Sequence, residues 1–154
     1  MVRIFVLIIC AGFIAAGMMG CASGTKYTDL KDSIPPLNPE KGRIYFYRSS
    51  VVGAAIQPIV ILNDDDTVGK AVSHGFWYVD RPPGKYSVVA GENREDQLIL
   101  TLEAGQTQYV KLSVSFGRGI YGHLVDEKLA LKELKGCNAA FEFADYVPTP
   151  ALKK

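Results

Sequence analysis

The sequence predicts a mainly antiparallel β-sandwich of about seven strands with one C-terminal α-helix. Three observations predict it. Short stretches alternating apolar and polar residues recur from Gly42 onward. Clusters of Gly, Pro, Asn and Asp interrupt them at regular intervals, drawn from 15 glycines and 8 prolines. A chain of 154 residues that is 48% hydrophobic suits one domain with its own core.

The N-terminus is read separately from that domain. After Arg3, Ile4 to Gly20 run for 17 residues without a charge, just short of the ~18 apolar residues usually needed to span a bilayer. One basic residue, an apolar core and a small-residue exit resemble a secretory signal. Met18-Met19-Gly20-Cys21 resembles a bacterial lipobox. That resemblance implies that Cys21 becomes the first mature residue and carries a diacylglycerol and an N-acyl chain. The competing reading is a retained membrane anchor, but Gly17, Gly20 and the polar turn at Ser23 favour cleavage.

The other cysteines agree. Cys10 leaves with the signal, and Cys137 then has no partner for an internal disulfide. Losing Arg3 leaves 16 basic against 16 acidic side chains, so the membrane is held through lipid on Cys21 alone. Ala22 and Ser23, with no Asp after the cysteine, resemble lipoproteins sorted to the outer membrane of diderm bacteria. The expected plan is a signal peptide over 1–20, the lipidated cysteine and a flexible tether over 21–41, the folded domain over 42–147 and a tail over 148–154. The tether, with Pro35, Pro36 and Pro39, would separate its ends by about 25 Å.

Within the domain each element has a local signal. Arg43 to Arg48 put Ile44 and Phe46 on one face and Tyr45 and Tyr47 on the other. Gln57 to Asn63 form a continuous apolar run, predicted as a strand covered on both faces, and Asn63 to Gly69 a turn. Phe76 to Asp80 and Lys85 to Ala90 are strands flanking the turn Arg81-Pro82-Pro83-Gly84. Leu98, Leu100 and Leu102 are predicted to pair with Val110, Leu112 and Val114 as a hairpin across Glu103 to Gln106. The helix starts at Asp126 as N-cap and ends near Lys135, with Gly136 in a left-handed C′ position and Cys137 packing back.

Chemistry is harder to find. Gly117 to Gly122 fit G-x-G-x-x-G, but the preceding strand alternates, and Asp126 and Glu127 would repel a pyrophosphate. Only 32 residues follow Gly122, too few for a doubly wound sheet. Asp64 to Asp66 lack the spacing of a calcium loop, and His74 and His123, the only histidines, accompany no ligand cluster. No cofactor is expected, and a net charge of +1 without a basic block excludes a nucleic-acid partner.

The stretches Lys41 to Ser50, Arg81 to Gly91, Leu102 to Leu112 and Lys132 to Cys137 together resemble a family of bacterial lipoproteins known as domain of unknown function 2846. The resemblance implies a small β-sandwich of transthyretin-like or carboxypeptidase-regulatory-like type, and supplies neither catalytic residues nor a ligand. The function expected is a lipid-anchored, non-enzymatic interaction or structural module of the cell envelope, with an envelope protein or glycan as partner. The alternative is an envelope enzyme or metal or ligand binder using His74, His123 or Asp64 to Asp66. Arg43, Tyr45 and Tyr47 are the candidate interaction surface, because Tyr and Arg are enriched at binding hot spots. The alternative is that the Asp126 to Lys135 helix, whose apolar stripe must pack somewhere, covers this face and buries the tyrosines against Leu131 and Leu134.

Overall fold

The computed structural model describes residues 24–91 and 93–140. Signal residues 1–20, Cys21 and the tail 148–154 lie outside the described residues. Nine strands among the described residues are β1 (Gly42–Tyr47), β2 (Ile59–Leu62), β3 (Asp66–Lys70), β4 (Gly75–Arg81), β5 (Gly84–Ala90), β6 (Leu98–Leu102), β7 (Thr107–Ser115), β8 (Gly119–Val125) and β9 (Asn138–Ala139). Two short α-helices, α1 (Tyr27–Leu30) and α2 (Glu127–Leu134), and a 3-10 turn at Arg94–Asp96 accompany them among the described residues. The strands form a five-stranded sheet, β8-β7-β1-β4-β9, and a four-stranded sheet, β3-β2-β5-β6. The predicted sandwich with a helix near the C-terminus is therefore observed.

Its pairing departs from a purely antiparallel scheme. β1 is central and runs antiparallel to β4 but parallel to β7, with Tyr45 opposite Tyr109. The expected hairpin of Leu98–Leu102 with Val110–Val114 does not form: β6 pairs with β5, and β7 pairs with β1 and β8. The two leucine- and valine-bearing rows instead face each other across the core from opposite sheets, which satisfies the same alternation. Glu103 to Gln106 make the crossing, with Gly105 at φ 73°.

Two further expectations are corrected. β2 is covered on one face only: Val60 and Leu62 enter the core, whereas Ile59 and Ile61 look outward. The predicted turn is confined to Asn63 to Asp65, with Asn63 and Asp64 at positive φ, and Asp66 onward returns as β3. The Gly-rich stretch of 117–122 is the tip and start of the β7–β8 hairpin, with Gly117 and Gly119 at positive φ. A hairpin, not a strand-to-helix turn, explains those glycines.

The core lies between the sheets. Ile44, Phe46, Trp77, Val110 and Leu112 meet Val60, Leu62, Val88 and Leu102, and the Phe46 and Trp77 rings stack at 5.4 Å. Gly69 lies against the Trp77 indole, close enough that a Cβ there would overlap the ring. A second apolar layer covers the outer face of the larger sheet. There Tyr45, Tyr47, Phe76, Tyr78 and Tyr109 pack under Ala130, Leu134 and Cys137.

α2 starts as its sequence demands, with the Asp126 side chain accepting from the Leu129 amide at 3.0 Å. Its end differs from expectation. Gly136 is not among the positive-φ residues, and the last turn closes through Gly136 N–H to Glu133 O and Cys137 N–H to Leu134 O. Cys137 is nevertheless buried against this layer, as expected.

The tether is the largest correction. From Thr25 the chain is part of the fold: Lys26 bridges Asn138, and Tyr27, Leu30 and Ile34 pack onto the outer layer. Tyr27 meets Phe76 edge-to-face at 5.3 Å. The physical reason is that α2 is only eight residues long and leaves part of the aromatic face uncovered. A segment with apolar residues at 27, 30 and 34 completes the cover.

The packing at Gly69 yields a direct test. Gly69→Ala forces the Trp77 ring or the β3 backbone to move, an overpacking cost of ~1–3 kcal/mol. Chemical denaturation should show that loss with an unchanged denaturant slope, and unaltered stability would contradict the packing described.

Candidate functional site

The sequence-predicted surface Arg43, Tyr45 and Tyr47 is not a surface. All three side chains are buried beneath α2 and the 27–34 segment. Arg43 forms a two-pronged pair with its cross-strand neighbour Asp80, Nε to Oδ1 at 2.6 Å and Nη2 to Oδ2 at 2.8 Å. It also donates to Pro35 O at 2.9 Å and lies over the Tyr78 ring at 4.2 Å. Burial works against the guanidinium charge, but Asp80 outweighs it and holds the pKa above its ordinary value. Tyr45 stacks on Tyr109 at 5.4 Å. These residues hold the leading segment and the helix to the sheet.

The hydroxyl of Tyr47 donates to Glu133 Oε2 at 2.6 Å, and Lys111 Nζ meets Glu133 Oε1 at 2.5 Å. β1 and β7 place Tyr47 opposite Lys111, so one helix carboxylate clasps two adjacent strands. Burial and this carboxylate together push the Tyr47 pKa up. Burial alone would raise the Glu133 pKa, but hydrogen bonds from Lys111 and Tyr47 prevail and hold it below its ordinary value. Burial and then Glu133 push the Cys137 thiol up to about 12, which keeps it an inert apolar filler.

The remaining candidates do not converge. His74 has φ 52° and lies between β3 and β4, where its carbonyl accepts from Asn138 N–H at 2.8 Å. His123 is on β8 opposite Lys111, beside Tyr121. Burial and the Lys111 charge lower its pKa and favour neutral imidazole, against the pull of Glu133. Asp66 pairs with Arg81 at 2.6 Å and Asp64 with Arg94 at 3.3 Å. Among the described residues no group of three or more His, Cys, Asp or Glu could hold a metal ion.

What the structure does build is one end of the sandwich, where β1 and β7 finish. Arg48, the residue after β1, is wholly buried. Its Nη1 donates to Ile56 O at 2.7 Å and Ala71 O at 2.8 Å, and its Nη2 to Val52 O at 2.6 Å and Gly53 O at 2.8 Å. Its hydrogen-bond partners among the described residues are main-chain carbonyls, with no carboxylate, and burial lowers its pKa. Carbonyls of the 49–58 loop thus turn inward, and the loop's apolar side chains turn outward. Val51, Val52 and Ile56 are 58%, 63% and 54% exposed.

Phe116, at the tip of the β7–β8 hairpin, is fully exposed. The two loops are neighbours, since a Cβ on Gly53 would touch Val114 at 3.5 Å. A shallow groove opens on the same end between Ile56, Pro58, Gly91, Arg118 and Ile120. Arg118 is held there by Asp96 at 2.9 Å and lies over Tyr121 at 4.1 Å. Sequence reasoning missed this end. The available signal was a run of Val51, Val52 and Ile56 in a loop bracketed by Ser50 and Pro58, where polar residues are the rule.

A family model described as "Protein of unknown function (DUF2846)" matches residues 38–123, more than half of the chain and the stretch from just before β1 into β8. No curated protein matches the chain, and no solved structure does.

The Glu133 clasp carries a pH signature. A carboxyl held below its ordinary pKa in the folded state contributes stability above the unfolded value, and that stability is lost as pH falls through the folded value. Glu133→Gln should therefore cost ~1.5–3 kcal/mol at neutral pH, the range for hydrogen bonds to a charged group. The gap from wild type should close in strong acid when both are compared by denaturant unfolding.

Proposed function

The chain belongs to the DUF2846 family, and on that premise we propose that it is a lipid-anchored protein of the bacterial cell envelope. In this reading it carries a small β-sandwich that binds or braces rather than catalyses. One observation carries the proposal: Cys21 closes an uncharged stretch of 17 residues and opens a polar segment, as a lipidated cysteine requires. Among the described residues no helix is long and apolar enough to cross a membrane. Lipid on Cys21 would be the attachment, and two or three acyl chains hold a protein stably at ~0.8 kcal/mol per buried CH₂.

What favours binding over catalysis is how the polar side chains are used. Glu133, Asp80, Asp66 and Asp126 each hold a structural partner, and His74 and His123 stand on different elements. The partner proposed for the folded domain is an envelope protein or glycan. Cells fed an alkyne fatty acid should label the wild-type protein and leave Cys21→Ala unlabelled. Equal labelling of both, or of neither, would overturn the anchor.

A further inference from the structure

We propose that the loop end bearing Val51, Val52, Ile56 and Phe116 rests on and inserts into the lipid bilayer that holds the chain, so that the domain lies against the membrane. The proposal rests on lipidation of Cys21. It contrasts with the sequence expectation of a domain standing off on a tether of about 25 Å.

Chain length fixes which end can face the bilayer. Thr25 is tied to the fold by Ala139 N–H donating to its carbonyl at 2.9 Å. Ala139 is opposite Phe76, and Phe76 is opposite Tyr47, the last residue of β1. Cys21 is four positions before Thr25, so the lipidated residue lies at most ~14 Å from that level at ~3.3–3.6 Å per residue. The opposite end of the sandwich, at Gly42, is ~17 Å further down β1 at ~3.3 Å per residue. The attachment point therefore cannot reach past the Gly42 end. It is within reach of the end where β1 finishes.

That end presents the side chains a bilayer accepts. Val51, Val52 and Ile56 come from one loop, and Phe116 tops the neighbouring hairpin. The other exposed large apolar side chains among the described residues are spread over several elements: Ile59 lies on β2, Ile99 on β6, Leu124 on β8 and Leu129 on α2. Isolated exposures of that kind are ordinary, whereas a cluster asks for a partner. Arg48 makes the cluster durable by drawing the loop's carbonyls inward, so no main-chain acceptor of Val52, Gly53 or Ile56 need be stripped of its partner on entering an apolar phase. The basic groups at this end are already engaged, Arg118 by Asp96 and Arg94 by Asp64. Insertion is accordingly apolar and insensitive to salt.

The test uses the full lipidated protein, with Phe116→Trp as reporter and Ile99→Trp as control. Trp77 is buried and supplies the common background. Each protein is placed on phosphatidylcholine vesicles with brominated acyl chains, and flotation reports anchoring. Burial of ~5–10 Å into the headgroup boundary should shift the Phe116→Trp emission to the blue and quench it, in low and high salt alike. Ile99→Trp should keep its emission, and Val52→Trp should repeat the Phe116→Trp result independently. Flotation without quenching at either loop would overturn the docking while leaving the anchor intact. Loss of flotation would overturn the anchor, and the docking with it. A blue shift already present without vesicles would mean that protein covers the loops, either a second copy or residues 141–154, and would overturn the proposal too. Quenching abolished by salt would overturn its apolar character.

Discussion

A buried guanidinium with no carboxylate partner among the described residues is the constraint around which this fold is arranged. Arg48 carries its charge into a site with no exposure to water, where an unpaired ion would cost several kcal/mol. Four carbonyls replace the lost hydration of Nη1 and Nη2, while Nε has no hydrogen-bond partner among the described residues. Ile56, Val52 and Gly53 belong to the loop between β1 and β2, and Ala71 follows β3. The residue after a strand of one sheet therefore fixes the entry to the other. The amide of Arg48 completes the tie by donating to Gly75 O at 2.9 Å.

The rest of the molecule is a matter of covering two faces of one sheet. Alternation in β1 gives one row to the inter-sheet core and another to an aromatic layer. That second row can only be buried by elements outside the sandwich. α2 and the segment from Tyr27 to Ile34 do this, held by Arg43 to Pro35 O at one end and by the Glu133 clasp at the other. Chain that might have spaced the domain from a membrane is spent as packing. What remains between Cys21 and Thr25 is short, and with the proposed lipid on Cys21 it would bring the apolar loops within reach of a bilayer.

Fold class and element positions were legible in the sequence because they depend on period and turn chemistry, which are local. Ile44 and Phe46 alternating with Tyr45 and Tyr47 marked β1, and Asp126 marked the start of α2. Pairing partners were not legible. Leu98 to Leu102 and Val110 to Val114 have the same pattern whether they join in one sheet or oppose each other across a core. The direction of β7 alongside β1 is likewise invisible to periodicity. The sequence also placed Tyr45 and Tyr47 correctly on the second face. Whether that face meets solvent depended on a helix of eight residues and on Tyr27, Leu30 and Ile34, whose spacing is too brief to stand out among prolines. Arg48 looked like any strand-ending arginine, since its partners are carbonyls and leave no complementary acid to notice.

Amide hydrogen exchange tests the role of Arg48 most directly. The amides of Ala54, Ile56 and Ala71 are hydrogen-bonded to Val51 O, Gly53 O and Pro58 O, so each reports the order of the loop. In Arg48→Met, which keeps the apolar stem and removes the donors, these three should exchange much faster than in wild type, while amides of β6 and β7 keep their protection. Unchanged protection at Ala54, Ile56 and Ala71 would show that the loop is ordered without the guanidinium, and would contradict the central claim.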